Sequence, residues 1–258
     1  LSPPIVEIVV PCYNEAERLN GALFMAWLAV HPHYRLRFVN DGSTDATWDC
    51  LEALVKGNPG QVRVIHLQLN GGKAEAVRRG LLEVLDAGEA TYMGYFDADR
   101  STPLEELTLL VEVLEARPGC KMALGSRVLL MGRDIRRNPA RHYLGRVFAT
   151  LASLVLDLPV YDTQCGAKVM RVGPDWSRLL AFPFVTRWVF DVELISRLMR
   201  WERSLRPDGD RGRHLVEMPL RQWVDVQGSK VKPIDGLIAF VDLVRLYYLH
   251  RRPWPEGI

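Results

Sequence analysis

Short apolar runs alternate with longer stretches of helical period along the first hundred residues. Ile5–Val10 reads as a buried strand ended by Pro11, and a helix is expected from about Asn14 or Glu15 to Val30. Arg37–Val39 is a second strand that runs into Asn40-Asp41-Gly42-Ser43-Thr44-Asp45, where Ser43 or Thr44 can cap a helix reaching about Lys56. Val62–Leu67 is the third strand, and Gly71-Gly72-Lys73 opens a helix through about Leu85. Thr91–Phe96 is the fourth, followed by a helical segment near Pro103. Strands alternating with helices predict an α/β domain: a doubly wound, mostly parallel (mixed) sheet with helices on both faces.

The second half is less regular. Met122–Gly125 reads as a strand ending in Ser126-Arg127. Arg133, Arg136, Arg137, Arg141 and Arg146 then lead into the apolar segment Val147–Leu156. That pattern fits an anionic lipid surface as well as a buried helix with a solvated basic approach. Ala167–Met170 is a strand, a helix runs to about Met199, Arg203–Arg213 is an exposed loop, and Leu215–Pro219 and Trp223–Val226 are extended. The last helix, about Ile234–Leu249, ends in Tyr247, Tyr248, His250, Arg251 and Arg252, a composition that suits a membrane interface or packing on the sheet.

Ligands of such sheets bind beyond the carboxyl ends of the strands. Here those positions hold Pro11–Glu15, Asp41–Asp45, Asn70–Lys73 and Asp97–Asp99. Singly, each cluster fits ordinary turn and capping chemistry. Four at successive strand ends predict one nucleotide-binding cleft. Asp97 and Asp99 share side-chain parity, so both can face that cleft and hold a hard divalent cation, Mg²⁺ or Mn²⁺. Taken alone, the pair also fits a solvated turn in which Asp99 caps the following helix.

Composition narrows the classes. A chain of 258 residues, 48% hydrophobic and 25% charged, can bury one large core. We read it as a single domain: residues 1–100 as the nucleotide-binding half, 101–232 as the acceptor-side half, and 233–258 as a terminal helix able to lie on a membrane. A net charge of +2 and the lack of a recognition motif argue against nucleic-acid binding. Cys12, Cys50, Cys120 and Cys165 lack metal or redox spacing, which suggests a reduced, intracellular compartment. No signal peptide opens the chain, and no apolar run approaches the ~20 residues that span a bilayer. The chain opens on Leu1 rather than Met, which leaves an earlier native beginning open.

Pro11-Cys12-Tyr13-Asn14-Glu15, Asn40-Asp41-Gly42-Ser43-Thr44-Asp45 and Asp97-Ala98-Asp99, in this order and spacing, resemble the family 2 inverting glycosyltransferases of GT-A fold. The resemblance continues through Gly125-Ser126-Arg127, Asp162-Thr163-Gln164-Cys165-Gly166-Ala167-Lys168, Arg187-Trp188-Val189-Phe190-Asp191-Val192-Glu193-Leu194 and Gly228-Ser229-Lys230. This later set looks most like the dolichyl-phosphate glucosyltransferase branch, and nearly the whole chain is covered. The N-terminal membrane helix of eukaryotic members has no counterpart here.

The resemblance implies a nucleoside diphosphate sugar, UDP-glucose, and a polyprenyl phosphate acceptor at the cytoplasmic face of a membrane. It places the nucleoside against Pro11, Tyr13, Glu15 and Asp41 with Lys73 nearby, makes Asp99 the principal metal ligand, and gives Asp97 to the ribose or the metal. Ala98 and Gln164, inside the matching motifs, complete the substrate-binding set with Lys230, a counter-charge over the diphosphate. Arg127 and Arg141 would hold an acceptor phosphate. A hydroxyl acceptor would instead need a base, for which Asp191 is the first candidate and Asp162 the second. Asp191 also fits a helix-start carboxylate. A carbohydrate-directed transferase and a non-catalytic nucleotide-sugar binder are the alternatives. A dinucleotide oxidoreductase is disfavoured because no Gly-x-Gly-x-x-Gly turn follows the first strand.

Overall fold

The computed structural model describes residues 3–99, 101–136, 139–206, 209, 212–225 and 233–255, the side chains of 139–142 and 233–235 excepted. In chain order the first half comprises β1 (Val6–Cys12), α1 (Gly21–Val30), β2 (Tyr34–Asp41), α2 (Thr47–Gly57), β3 (Val62–Leu67), α3 (Lys73–Ala87) and β4 (Tyr92–Phe96). It continues with α4 (Glu105–Glu115), β5 (Met122–Ser126), β6 (Asp134–Arg136), α5 (Pro139–Leu156), β7 (Ala167–Arg171), α6 (Asp175–Leu179), α7 (Phe190–Leu205), β8 (Leu215–Pro219), β9 (Gln222–Val224) and α8 (Pro233–Arg251).

Seven strands pair in the order β3-β2-β1-β4-β7-β5-β8. The ladders are parallel except the two beside β7, which runs against both β4 and β5. The mixed sheet expected from the alternation of strands and helices is therefore present, and β6 and β9 form a separate parallel ladder. Because β7 is reversed, its beginning lies beside the ends of β4 and β5. Phe96 opposes Ala167, and the Asp97 N–H donates to the Gly166 carbonyl at 3.0 Å.

Two cores sandwich the sheet. Val6, Ile8 and Val10 face one layer with α1, α2 and α4, while Val9, Met93 and Tyr95 face the other with α3, α5, α6, α7 and α8. Helix α4 buries Leu107, Leu110, Val111 and Leu114, the stripe of a 3.6-residue period. Each such side chain contributes about 1.5–3 kcal/mol relative to exposure. Helix α7 is buried along its whole first part, Phe190–Met199, so its amino terminus sits inside the protein, against the sheet.

Several boundaries differ from expectation for identifiable reasons. Helix α1 starts at Gly21, not Asn14, because Asn14 adopts a left-handed φ of 50° and Asn20 Oδ1 caps the helix by accepting the Leu23 N–H at 3.2 Å. Neither Ser43 nor Thr44 caps α2. It begins at Thr47, whose N–H donates to Asp45 Oδ1 at 3.0 Å. The apolar Val147–Leu156 is the end of a helix that begins at Pro139, and Arg203–Leu205 belongs to α7 rather than to a loop. The short elements β6 and α6 were not anticipated; three and five residues are too few to show a period. Among the described residues, no helix is long and apolar enough to cross a membrane.

Candidate active site

Parallel pairing of β1 with β2 brings their following loops together. The Asn14 N–H donates to Ser43 Oγ at 3.0 Å, the Thr44 N–H to Asn14 Oδ1 at 2.8 Å, and the Glu15 N–H to Thr47 Oγ1 at 2.7 Å. These cross-bonds explain the turn at Asn14, where a helix was expected. Tyr13 stands 38% exposed beside half-buried Pro11. Glu15 is buried, and its carboxylate accepts from Arg18 Nε at 2.9 Å and Nη2 at 2.5 Å.

Asp41, at the end of β2, organises the loop after β3. Its two carboxylate oxygens accept the N–H groups of Gly71 and Gly72, both at 2.8 Å, and Asn70 Nδ2 reaches Oδ2 at 3.1 Å. Burial pushes its carboxyl above the ordinary aspartate value, opposed by the Gly71 and Gly72 N–H groups and by Arg187. Gly42 makes this approach feasible. Its φ is +63°, and a Cβ there would lie 2.5 Å from the Asn70 nitrogen. Three of the four predicted strand ends are thus tied into one wall.

The fourth carries the carboxylate cluster. Lys73, the first residue of α3, places Nζ 2.5 Å from Asp97 Oδ1. Asp97 lies flat against Gly166, where a Cβ would come within 2.0 Å of its Oδ2. Burial raises the Asp97 carboxyl above its usual range, with Lys73 opposing and Asp99 adding to the rise. Burial works against the Lys73 charge, but Asp97, Asp191 and Asp99 outweigh it and hold the ammonium above the ordinary lysine value. Asp99 sits half-buried and accepts the Ser101 N–H on Oδ1 at 3.0 Å, while Ala98 is buried. The Asp99 contact is a local turn rather than a cap on α4, which has no side-chain cap.

Asp191 enters from the first turn of α7. Lys168 Nζ donates to its Oδ1 at 2.5 Å and also to the Cys165 carbonyl at 2.6 Å, and the Tyr95 hydroxyl donates to the same Oδ1. Lys168 is 0% exposed. Burial, then Asp191, pushes the Tyr95 phenol well above its ordinary value, so it is a donor here. Neither Lys168 nor Tyr95 was assigned a role from sequence. The available signal was a lysine inside an otherwise apolar strand, Ala167–Met170, which demands a buried counter-charge.

Arg127 and Asp162 form one unit. Arg127 donates from Nε to Asp162 Oδ2 at 2.6 Å, from Nη2 to Oδ1 at 2.8 Å, and from its backbone N–H at 3.0 Å. Asp162, the second candidate base, therefore accepts from the guanidinium on both of its oxygens. Arg127, Arg146, Tyr161, Asp162 and Gln164 line a pocket against the middle of α5, with Arg146 3.6 Å over the Tyr161 ring. Gln164 Nε2 donates to the Trp188 carbonyl at 3.3 Å. Arg141 falls in the first turn of α5, but its side chain is outside the described residues, as is the whole of Gly228-Ser229-Lys230.

The donor set suits a hard cation. Asp97 and Asp99 supply carboxylate oxygens, and the Lys73 ammonium already occupies the positive position against Asp97. Among the described residues no group of three or more His, Cys, Asp or Glu gathers as a cage. A Mg²⁺ or Mn²⁺ held by one or two carboxylates and completed by substrate phosphates needs none.

Known proteins resemble this chain over nearly its whole length. The dolichyl-phosphate beta-glucosyltransferase of Homo sapiens is 30% identical over 261 residues, covering 95% of this chain and 76% of the relative. That of Saccharomyces cerevisiae is 29% identical over 270 residues, covering 95% and 75%. Among solved structures, Mycobacterium tuberculosis glucosyl-3-phosphoglycerate synthase with Mn²⁺ and uridine-diphosphate-glucose superposes with a TM-score of 0.63 at 18% identity, over 99% of this chain and 82% of that one. At that identity the likeness concerns the fold, and it is the GT-A fold that the motifs implied. The model of glycosyl transferase family 2 matches residues 7–179, from β1 through α6. That span takes in all four strand-end clusters, the Arg127–Asp162 pair and the reversed strand behind Asp97, and on this match the chain belongs to glycosyl transferase family 2.

Proposed function

We propose that this enzyme transfers glucose from UDP-glucose to a polyprenyl phosphate at the cytoplasmic face of a membrane. The observation that carries the proposal is the adjacency of two halves. A carboxylate and lysine cluster suited to a sugar diphosphate lies next to an arginine-lined pocket beside α5, a helix with exposed apolar side chains. The relatives' names support glucose and a lipid phosphate.

In this reading the Pro11–Asp41 wall seats the nucleoside, and Tyr13 offers its exposed ring to the base. Asp99 and Asp97 would hold the divalent cation, which offsets the negative charge on the departing UDP. An acceptor phosphate oxygen attacks the anomeric carbon from the face opposite the diphosphate. The carbon–oxygen bond to UDP breaks and its electron pair leaves with the diphosphate. Because the acceptor is already ionised, no proton must be removed, and electropositive positioning by Arg127 suffices. Asp162 holds that guanidinium in place, and its Nη1 edge remains for the phosphate. Asp191, with Oδ1 engaged by Lys168 and Tyr95, shapes the acceptor side of the cleft.

A donor-by-acceptor panel with mass detection tests the proposal. UDP release and a glucosylated lipid phosphate are expected only when UDP-glucose, a polyprenyl phosphate and a divalent cation are all present. Turnover in excess EDTA would remove the metal assignment. Transfer to a carbohydrate hydroxyl, abolished by Asp191→Asn, would replace the lipid acceptor by the alternative.

The membrane contact rests on α8 and α5. Helix α8 buries Leu243 and Leu246 yet exposes Leu237, Phe240, Val241 and Val244 on its other side, and α5 exposes Leu144 and Val147. Arg245 and Arg251 border the outer α8 face. Apolar groups flanked by cations suit an anionic bilayer surface. Phe240→Glu with Val244→Glu is expected to reduce co-sedimentation with phosphatidylglycerol vesicles at least about tenfold, given ~1.5–3 kcal/mol per buried apolar side chain. UDP affinity should stay unchanged; undiminished vesicle binding would refute the assignment.

A further inference from the structure

Arg187 lies just before α7 and is exposed, yet its guanidinium packs against the nucleotide loop of the other half of the chain. A Cβ on Gly72 would lie 3.1 Å from its Nε and 3.6 Å from its Cζ. Its hydrogen bond among the described residues is a long 3.4 Å contact from Nη2 to Asn70 Oδ1. Other arginines at the core of the fold are saturated: Arg78 by Glu75 and the Leu180 carbonyl, Arg197 by Glu193 and three carbonyls. Asp41, whose field Arg187 shares, is already bound by Gly71 and Gly72.

The backbone at Arg187 is anchored on the acceptor side. Its backbone N–H and that of Trp188 face the buried carboxyl of Asp242 on α8, and the Trp188 carbonyl accepts from Gln164. A donor whose nucleoside rests at Asp41 must carry its diphosphate past Gly72 to reach Asp97 and Asp99. Lys73 and Arg187 flank that passage, the first already turned towards Asp97.

We propose that Arg187 binds the diphosphate of the nucleotide donor, bridging the acceptor-side helix to the nucleotide loop when donor is bound. The inference rests on the donor assignment of the preceding section. A planar guanidinium matches phosphate oxygens in bidentate geometry, whereas its present partner is one neutral carbonyl oxygen.

Calorimetry on wild type and Arg187→Ala, with UDP, uridine and a short-chain prenyl phosphate as separate ligands, tests it. The variant is expected to bind UDP about 10- to 100-fold more weakly, the worth of one charge-assisted hydrogen bond, and uridine and the prenyl phosphate as wild type does. An unchanged thermal midpoint, expected for an exposed side chain, excludes unfolding as the cause. Unchanged UDP affinity, an equal loss for uridine, or a loss confined to the prenyl phosphate would overturn the assignment. Wild-type protein that binds no UDP would instead remove the donor reading itself, and this ligand with it.

Discussion

Lys168→Met is expected to destabilise the protein by about 3–5 kcal/mol in urea denaturation, the cost of leaving one partner of a buried ion pair without the other. The lysine is fully buried and its partner Asp191 nearly so, 2.5 Å away. Methionine fills the volume of the stem but cannot donate to Asp191 or to the Cys165 carbonyl, which Lys168 reaches at 2.6 Å. Tyr95 alone would then serve a buried carboxylate. The double variant Lys168→Met with Asp191→Asn removes the uncompensated charge and should recover part of the loss, with a coupling energy of about 0.5–3 kcal/mol. A single variant within about 1 kcal/mol of wild type, below that range, would mean that the pair does not hold α7 to the sheet.

Asp99→Asn is expected to lower kcat roughly 10²- to 10³-fold at saturating UDP-glucose, the scale for deleting one group that stabilises transition-state charge. Stability should hardly change. The residue is half-buried, and the structural bond it makes, accepting the Ser101 N–H at 3.0 Å, survives because asparagine keeps a carbonyl oxygen. Loss of rate without loss of fold separates a metal ligand from a turn-former, the two uses that an Asp-x-Asp pair can have. A variant within about threefold of wild type in kcat, an effect of well under 1.4 kcal/mol, would return Asp99 to the second.

The sheet and the polar loops at its strand ends were legible in the sequence because both rest on local signals. β3 and β8 were found to the residue from apolar runs, and four polar clusters marked the strand ends without reference to anything distant. What failed was chemistry that depends on neighbours remote in sequence. Asn14 reads as a helix start until Ser43 and Thr44 are brought beside it. Asp162 gives no sign of its partner until the fold brings Arg127, 35 residues earlier, against both of its oxygens. Lys168 and Arg187 sat inside motifs whose order was informative, but their partners, Asp191 and the Asn70–Gly72 loop, come from elements that only the topology joins. The period of a pattern shows which face is buried, and not which charge another strand delivers to it.

Strand β7 has a consequence for how the protein is made. Among the described residues, β3, β2, β1 and β4 pair among themselves, β5 pairs with β8, and β7 is the strand that pairs with both sets. A ribosome releasing the chain from its amino terminus therefore exposes a four-stranded sheet whose β4 edge stays open until about residue 171 has emerged, because the strand that closes it is encoded some seventy residues later. The edge left waiting is the one that leads into Asp97. The backing of Asp97 by Gly166 and the closure of the sheet thus arrive with the same late segment, and a nascent chain lacking it has neither.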